Sequence, residues 1–138
     1  MTEVQWRFPP ASRSVPEARR RVSATLTEWG LDGLAETVVL LVSEIVTNAV
    51  LHARTELTVS VTEEGSGVRV TVADGSPLPP ALRRHSATST TGRGIQLLDM
   101  LADSWHAESS AQGKVVWFTV TSERDPWAAF AGSVEAER

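Results

Sequence analysis

Leu41-Val42-Ser43-Glu44-Ile45-Val46-Thr47-Asn48-Ala49-Val50-Leu51-His52-Ala53 is the stretch on which the reading of this chain turns. Extended back to Leu34, its apolar residues Leu34, Val38, Leu41, Val42, Ile45, Val46 and Ala49 recur at three- and four-residue intervals. That spacing lines one side of an α-helix. So wide an apolar face predicts a helix from about Leu34 to His52, largely buried against a sheet. Glu44, Asn48 and His52 lie four apart and drift only about 40° per step, so they form one polar row. The row adjoins Leu41 and Ile45. A carboxylate beside a buried face is costly unless something satisfies it. Two explanations stand at this point: a half-exposed row along the edge of the stripe, or a row completed by a ligand such as a hydrated magnesium ion or a nucleotide.

Outward from this helix the pattern changes period. Val4 to Phe8 alternates and stops at Pro9-Pro10, which predicts a short edge strand. Ser14-Val15-Pro16-Glu17 has the form of a capping box. A helix follows with Ala18, Val22, Leu26 and Trp29 on one stripe and Gly30 as its stop. Arg19, Arg20 and Arg21 fall mostly outside that stripe and read as a solvated face. Downstream, Leu57, Val59 and Val61, then Val68, Val70 and Val72, alternate with polar residues around Glu64-Gly65-Ser66-Gly67, a β-hairpin pattern. Asp74 to Thr91 holds three prolines, two arginines, one histidine and six serines or threonines. A loop of that length and polarity inside a domain is usually functional or mobile. A third helix opens at Gly92-Arg93-Gly94, with Ile95, Leu98 and Leu101 inward. A second hairpin joins Trp105–Glu108 to Lys114–Thr121.

The predicted order is β-α-α-β-β-loop-α-β-β. It implies an α+β fold: a two-layer α/β sandwich with a mostly antiparallel mixed sheet and helices on one face. The domain is expected over 1–122, with 123–138 as a tail or short helix. The trimmings are ordinary. The chain has 138 residues, 41% hydrophobic and 22% charged, which suits one soluble domain. A net charge of -4 argues against a nucleic-acid partner. The absence of cysteine excludes disulfides and thiolate chemistry, and agrees with a reducing cytoplasm. The first ten residues do not resemble a signal peptide. No uninterrupted apolar run approaches membrane-spanning length.

Two further features stand out. Asp74 is in phase with Val68, Val70 and Val72, so it points where the valines point. It is either a turn-starting Asp or a carboxylate at the sheet rim that accepts from a ligand amino group. Thr90-Thr91-Gly92-Arg93-Gly94 precedes a helix; such glycines let backbone approach a phosphate at helix N-terminal amides, or simply form a supple lead into the helix.

In this order the features resemble the GHKL ATPase superfamily, which includes gyrase, the Hsp90 chaperones, histidine kinases and MutL. Leu41 to Ala53 is similar to its N box. The small size and Lys114-Val115-Val116-Trp117-Phe118 resemble the stand-alone anti-sigma-factor serine kinases of the RsbW and SpoIIAB type. The resemblance spans about 2–122. It implies a Bergerat-type ATP-binding fold with ATP and Mg2+. By position it implies Asn48 as the magnesium ligand, Glu44 as general base, Asp74 as acceptor from the adenine amino group, and Gly75 beside the base. Thr91, Gly92, Arg93 and Gly94 would wrap the phosphates, and Ser76 to Thr91 would be the ATP lid. His52 joins the cofactor-binding set by its place one turn beyond Asn48. The implied partners are a sigma factor and an STAS-type anti-sigma antagonist, with a homodimer suggested, the Trp6 strand as a candidate surface, and no membrane.

Two departures matter. The first glycine box, Asp-x-Gly-x-Gly in the family, reads Asp74-Gly75-Ser76-Pro77-Leu78 here. Lys114 stands where a threonine is common at the start of the last long strand. These departures keep two further readings open beside a serine kinase: a nucleotide-gated binding module, and a fold acting through protein contacts alone.

Overall fold

The computed structural model describes residues 2–75 and 92–122, with backbone alone at 92–95. The expected lid from Ser76 to Thr91, with Thr91 itself, and the tail 123–138 lie outside the described residues. The elements are β1 (Glu3–Phe8), α1 (Ser14–Glu28), a 3-10 turn (Asp32–Leu34), α2 (Ala35–His52), β2 (Leu57–Glu64), β3 (Gly67–Asp74), α3 (Gly92–Leu101), β4 (Ser104–Ser110) and β5 (Gly113–Thr121).

The strands form one sheet in the order β1-β2-β3-β5-β4. Every pairing within it is antiparallel. Two hairpins, β2-β3 and β4-β5, lie side by side, and β1 guards one edge. Alternation decides which side chains meet the helices. Val59, Val61, Val70, Val72, Val116, Phe118 and Val120 point inward and are buried. On β1, Val4 and Trp6 pack against the core and Phe8 is buried within it. Trp6 therefore shares its ring between the core and the surface: it packs against the core but is only half-buried. On the opposite face the guanidinium of Arg69 stacks over Trp117, 4.1 Å from the ring centre, a cation–π contact on the helix-free side.

α1 and α2 pack on each other, and α2 also touches α3, β3 and β5, so α2 occupies the middle of the helical layer. Ala18, Val22 and Leu26 of α1 and Val38, Leu41, Val42 and Val46 of α2 are wholly excluded from solvent. Each such Val or Leu contributes about 1.5–3 kcal/mol relative to exposure. α1 ends as the sequence implies. Gly30 has φ 74°, its amide donates to the Thr27 carbonyl, and the Leu31 amide donates to the Leu26 carbonyl at 2.7 Å. This pair of bonds is a Schellman motif around a left-handed glycine.

The start of α1 differs from expectation. Ser14 is the first helical residue rather than the cap. Its hydroxyl donates to the Pro9 carbonyl at 2.6 Å. Glu17 pairs with Arg20 and Arg21, which hold its carboxyl below the usual range, Arg20 most strongly. The capping box does not form because both of its side chains find other partners nearby.

Averaged over a longer window, the segment of α2 is more apolar than its consecutive runs suggest. Asp32–His52 is, by length and composition, apolar enough to cross a bilayer. Scattered Thr, Ser, Glu and Asn residues break its runs, which is why reading for consecutive apolar residues passes over it. Its apolar face packs into the core described above.

Candidate functional site

The polar row on α2 forms because its neighbours are fixed by packing. Leu41 at 0%, Ile45 at 6% and Ala49 at 2% exposure anchor one side of the helix. Glu44 and Asn48 are half-buried at the border of that face, and His52 is exposed where the helix ends. The Thr47 hydroxyl bonds back to the Ser43 carbonyl at 2.6 Å, so it stays on its own helix. Arg19 of α1 donates to the Ser43 hydroxyl at 3.5 Å, a long contact on the other side of α2.

Residues 53–56 connect His52 to Leu57, a reach of at most about 18 Å. The end of α2 therefore lies at the end of the sheet where β2 starts and β3 stops. The turn is tight: Arg54 sits at φ 60° without being glycine. Thr55 then fastens the connection to β3, its hydroxyl accepting the Gly75 amide at 3.0 Å.

At this end Asp74 faces Leu57 on one side and Lys114 on the other. Asp74 shares the inward phase of Val68, Val70 and Val72, as its spacing implies, and is half-buried. Lys114 shares the inward phase of Val116, Phe118 and Val120. Burial pulls its ammonium below the usual lysine range, and the Asp74 charge acts in the opposite sense. Beyond Lys114, on β4, sits Ser109. Its hydroxyl is buried and has no hydrogen-bond partner among the described residues. Gly113 makes this corner possible. It has φ 132°, and a Cβ there would lie 2.1 Å from the Asp74 carbonyl oxygen.

Gly92, Arg93 and Gly94 form the first turn of α3. The first amides of a helix have no partner within it and suit an anion. The side chain of Arg93 lies outside the described residues.

The structure thus places Glu44 and Asn48 on the central helix, with the start of α3 on a helix that packs against it. It places Asp74, Gly75 and the end of α2 at one end of the sheet. Sequence reasoning missed Thr55 and Ser109, and treated Lys114 only as a departure. The signal for Lys114 was present, since it is in phase with Val116, Phe118 and Val120. Ser109 carries no such mark until the register of β4 is known. No cluster of three or more His, Asp or Glu among the described residues could cage a metal alone. A magnesium ion held through nucleotide phosphates and waters needs only one or two protein oxygens, a number the amide of Asn48 can supply.

The family model for the histidine kinase-like ATPase domain matches residues 8–120. No curated protein matches the chain. The matched stretch runs from the last residue of β1 to the penultimate residue of β5, and takes in the α2 row, the sheet corner at Asp74 and the start of α3. The chain belongs to the histidine kinase-like ATPase domain family, and is by that membership an ATP-binding domain.

Proposed function

We propose that this domain is a cytoplasmic anti-sigma factor with ATP- and Mg2+-dependent protein serine/threonine kinase activity toward an STAS-type antagonist. One observation carries the reading: Glu44 and Asn48 sit half-buried, one turn apart, on the central helix of an ATPase-family domain. Phosphoryl transfer demands little covalent chemistry from a protein; it demands positioning and charge neutralisation. Asn48 supplies an oxygen to the magnesium ion that accompanies the triphosphate. Glu44 accepts the proton of the attacking serine hydroxyl. Asp74 accepts from the adenine amino group, Gly75 lies beside the base, and the α3 start with Gly92, Arg93, Gly94 and the preceding Thr91 receives phosphate oxygens. His52, at the exposed end of the row, lines the same side of α2. A sigma factor and the antagonist are the partners, and the active species is a homodimer.

The test is transfer of label from γ-labelled ATP to a serine-bearing STAS-type protein. Glu44→Ala is expected to retain ATP binding and to slow transfer roughly 10²–10⁴-fold, the usual contribution of a general base. Undiminished transfer by that variant would falsify the assignment of Glu44.

A second reading has its own observation. Ser76 and Pro77 stand where the family keeps a flexible glycine box, and proline stiffens backbone. A domain that binds ATP and only changes its binding surface would show nucleotide binding without labelled partner.

A further inference from the structure

Three inward-facing polar residues lie in one line across the sheet: Asp74 on β3, Lys114 on β5 and Ser109 on β4. Lys114 is the direct cross-strand partner of both others. Such neighbours have Cβ atoms about 4.5–5.5 Å apart, so carboxylate, ammonium and hydroxyl share one small region. The row lies at the end of the sheet where β3 terminates and Thr55 holds the Gly75 amide.

Two of its members pay for their position without a full return from the fold. Lys114 is substantially desolvated, and Asp74 only partly offsets that penalty. The buried Ser109 hydroxyl has no hydrogen-bond partner among the described residues, although buried polar groups are nearly always bonded. An orphaned donor beside a desolvated cation, in line with an acceptor, describes a surface prepared for a polar edge that offers both an amino group and a lone pair.

The Watson–Crick edge of adenine is such an edge, with an amino donor next to the N1 acceptor. Resting on the ATP reading above, we propose that Lys114, supported by Ser109, is a specificity-determining residue that donates to the purine ring nitrogen beside the amino group taken by Asp74. The base is then read by a fixed acceptor–donor pair on adjacent strands. Asp74 alone recognises the amino group; Lys114 makes the ring nitrogen matter as well.

The probe is 1-deaza-ATP, which keeps the amino group and triphosphate but has carbon in place of N1. Affinities of the full chain for Mg-ATP and Mg-1-deaza-ATP are measured by titration calorimetry, with thermal melts to verify folding. Wild type is expected to prefer ATP by about 10–100-fold, the range for one charged hydrogen bond. Lys114→Met is expected to bring the ratio close to one, Lys114→Arg to keep most of it, and Ser109→Ala to lower it less than Lys114→Met. A folded Lys114→Met protein with an unchanged ratio overturns the proposal and leaves Lys114 as a structural counter-charge to Asp74. Wild type that binds ATP with no preference also overturns it, while wild type that binds neither nucleotide overturns the ATP reading beneath it.

Discussion

Gly113→Ala tests the corner on which the site is built. A Cβ at position 113 would lie 2.1 Å from the Asp74 carbonyl oxygen and 3.0 Å from both the Asp74 carbonyl carbon and the Gly75 Cα. Carbon and carbonyl oxygen do not settle closer than about 3.3 Å, so β3 and β5 would have to part by roughly 1 Å beside Asp74. Overpacking of this kind costs about 1–3 kcal/mol. Gly113 also has φ 132°, a region that L side chains avoid at a cost of about 1–2 kcal/mol. The two add to about 2–5 kcal/mol, against a total stability of about 5–15 kcal/mol for a domain. Urea unfolding followed by far-UV circular dichroism would read the loss as a lower midpoint at unchanged slope. Gly33→Ala is the internal control, because a Cβ there meets nothing within 4 Å. A Gly113→Ala midpoint indistinguishable from that of Gly33→Ala would refute the steric reasoning and, with it, the claim that Gly113 sets the distance between Asp74 and β5.

Two further outcomes follow from local features. Arg54 holds φ 60° with a side chain attached; Arg54→Gly removes that strain and should raise stability by about 0.5–1 kcal/mol, visible as a higher melting temperature, whereas a lower one would show that the arginine side chain has a compensating role. Lys114 gives a pH signature with a definite sign. Burial holds its folded-state value below the usual lysine value, so between the two the unfolded chain binds more protons and stability rises with pH. Below the folded-state value both states are protonated and the penalty is constant. The stability of wild type relative to Lys114→Met should therefore climb through the alkaline window that ends at the usual lysine value. Urea midpoints that keep a constant difference between the two proteins across that window would contradict it.

Much of the fold was legible because its determinants are local and periodic. α2 was readable from Leu34 to Ala49 since burial on one side of a helix repeats every three or four residues, and the inner strand faces were readable since burial there repeats every two. Gly30 was readable because only a glycine ends a helix in that way without strain. The capping box failed for a reason of competition: Ser14 lies within 2.6 Å of the Pro9 carbonyl, and Glu17 lies beside two arginines, and none of this is encoded in the four-residue pattern. In the candidate site, Asp74 was legible as a polar residue in apolar phase, and Glu44 and Asn48 as a polar row along the border of an apolar face. Ser109 was not, because a serine in a strand looks solvated until its partner across the ladder is known. The pairing of β3 with β5 joins segments far apart in the chain, and no local pattern announces it.

That seam has a kinetic consequence. Both hairpins can form from neighbouring residues, but β3 meets β5 only after the intervening chain, with α3, has closed into a loop, and contacts between distant segments are reached late and slowly. Asp74 and Lys114 face each other across that seam. Ser109 and Lys114 come together within the β4-β5 hairpin, but Asp74 joins them only when the two hairpins meet. A chain with both hairpins formed but not yet joined would carry native-like β structure while lacking the Asp74–Lys114 pair, so nucleotide capture during refolding would mark closure of the sheet's centre.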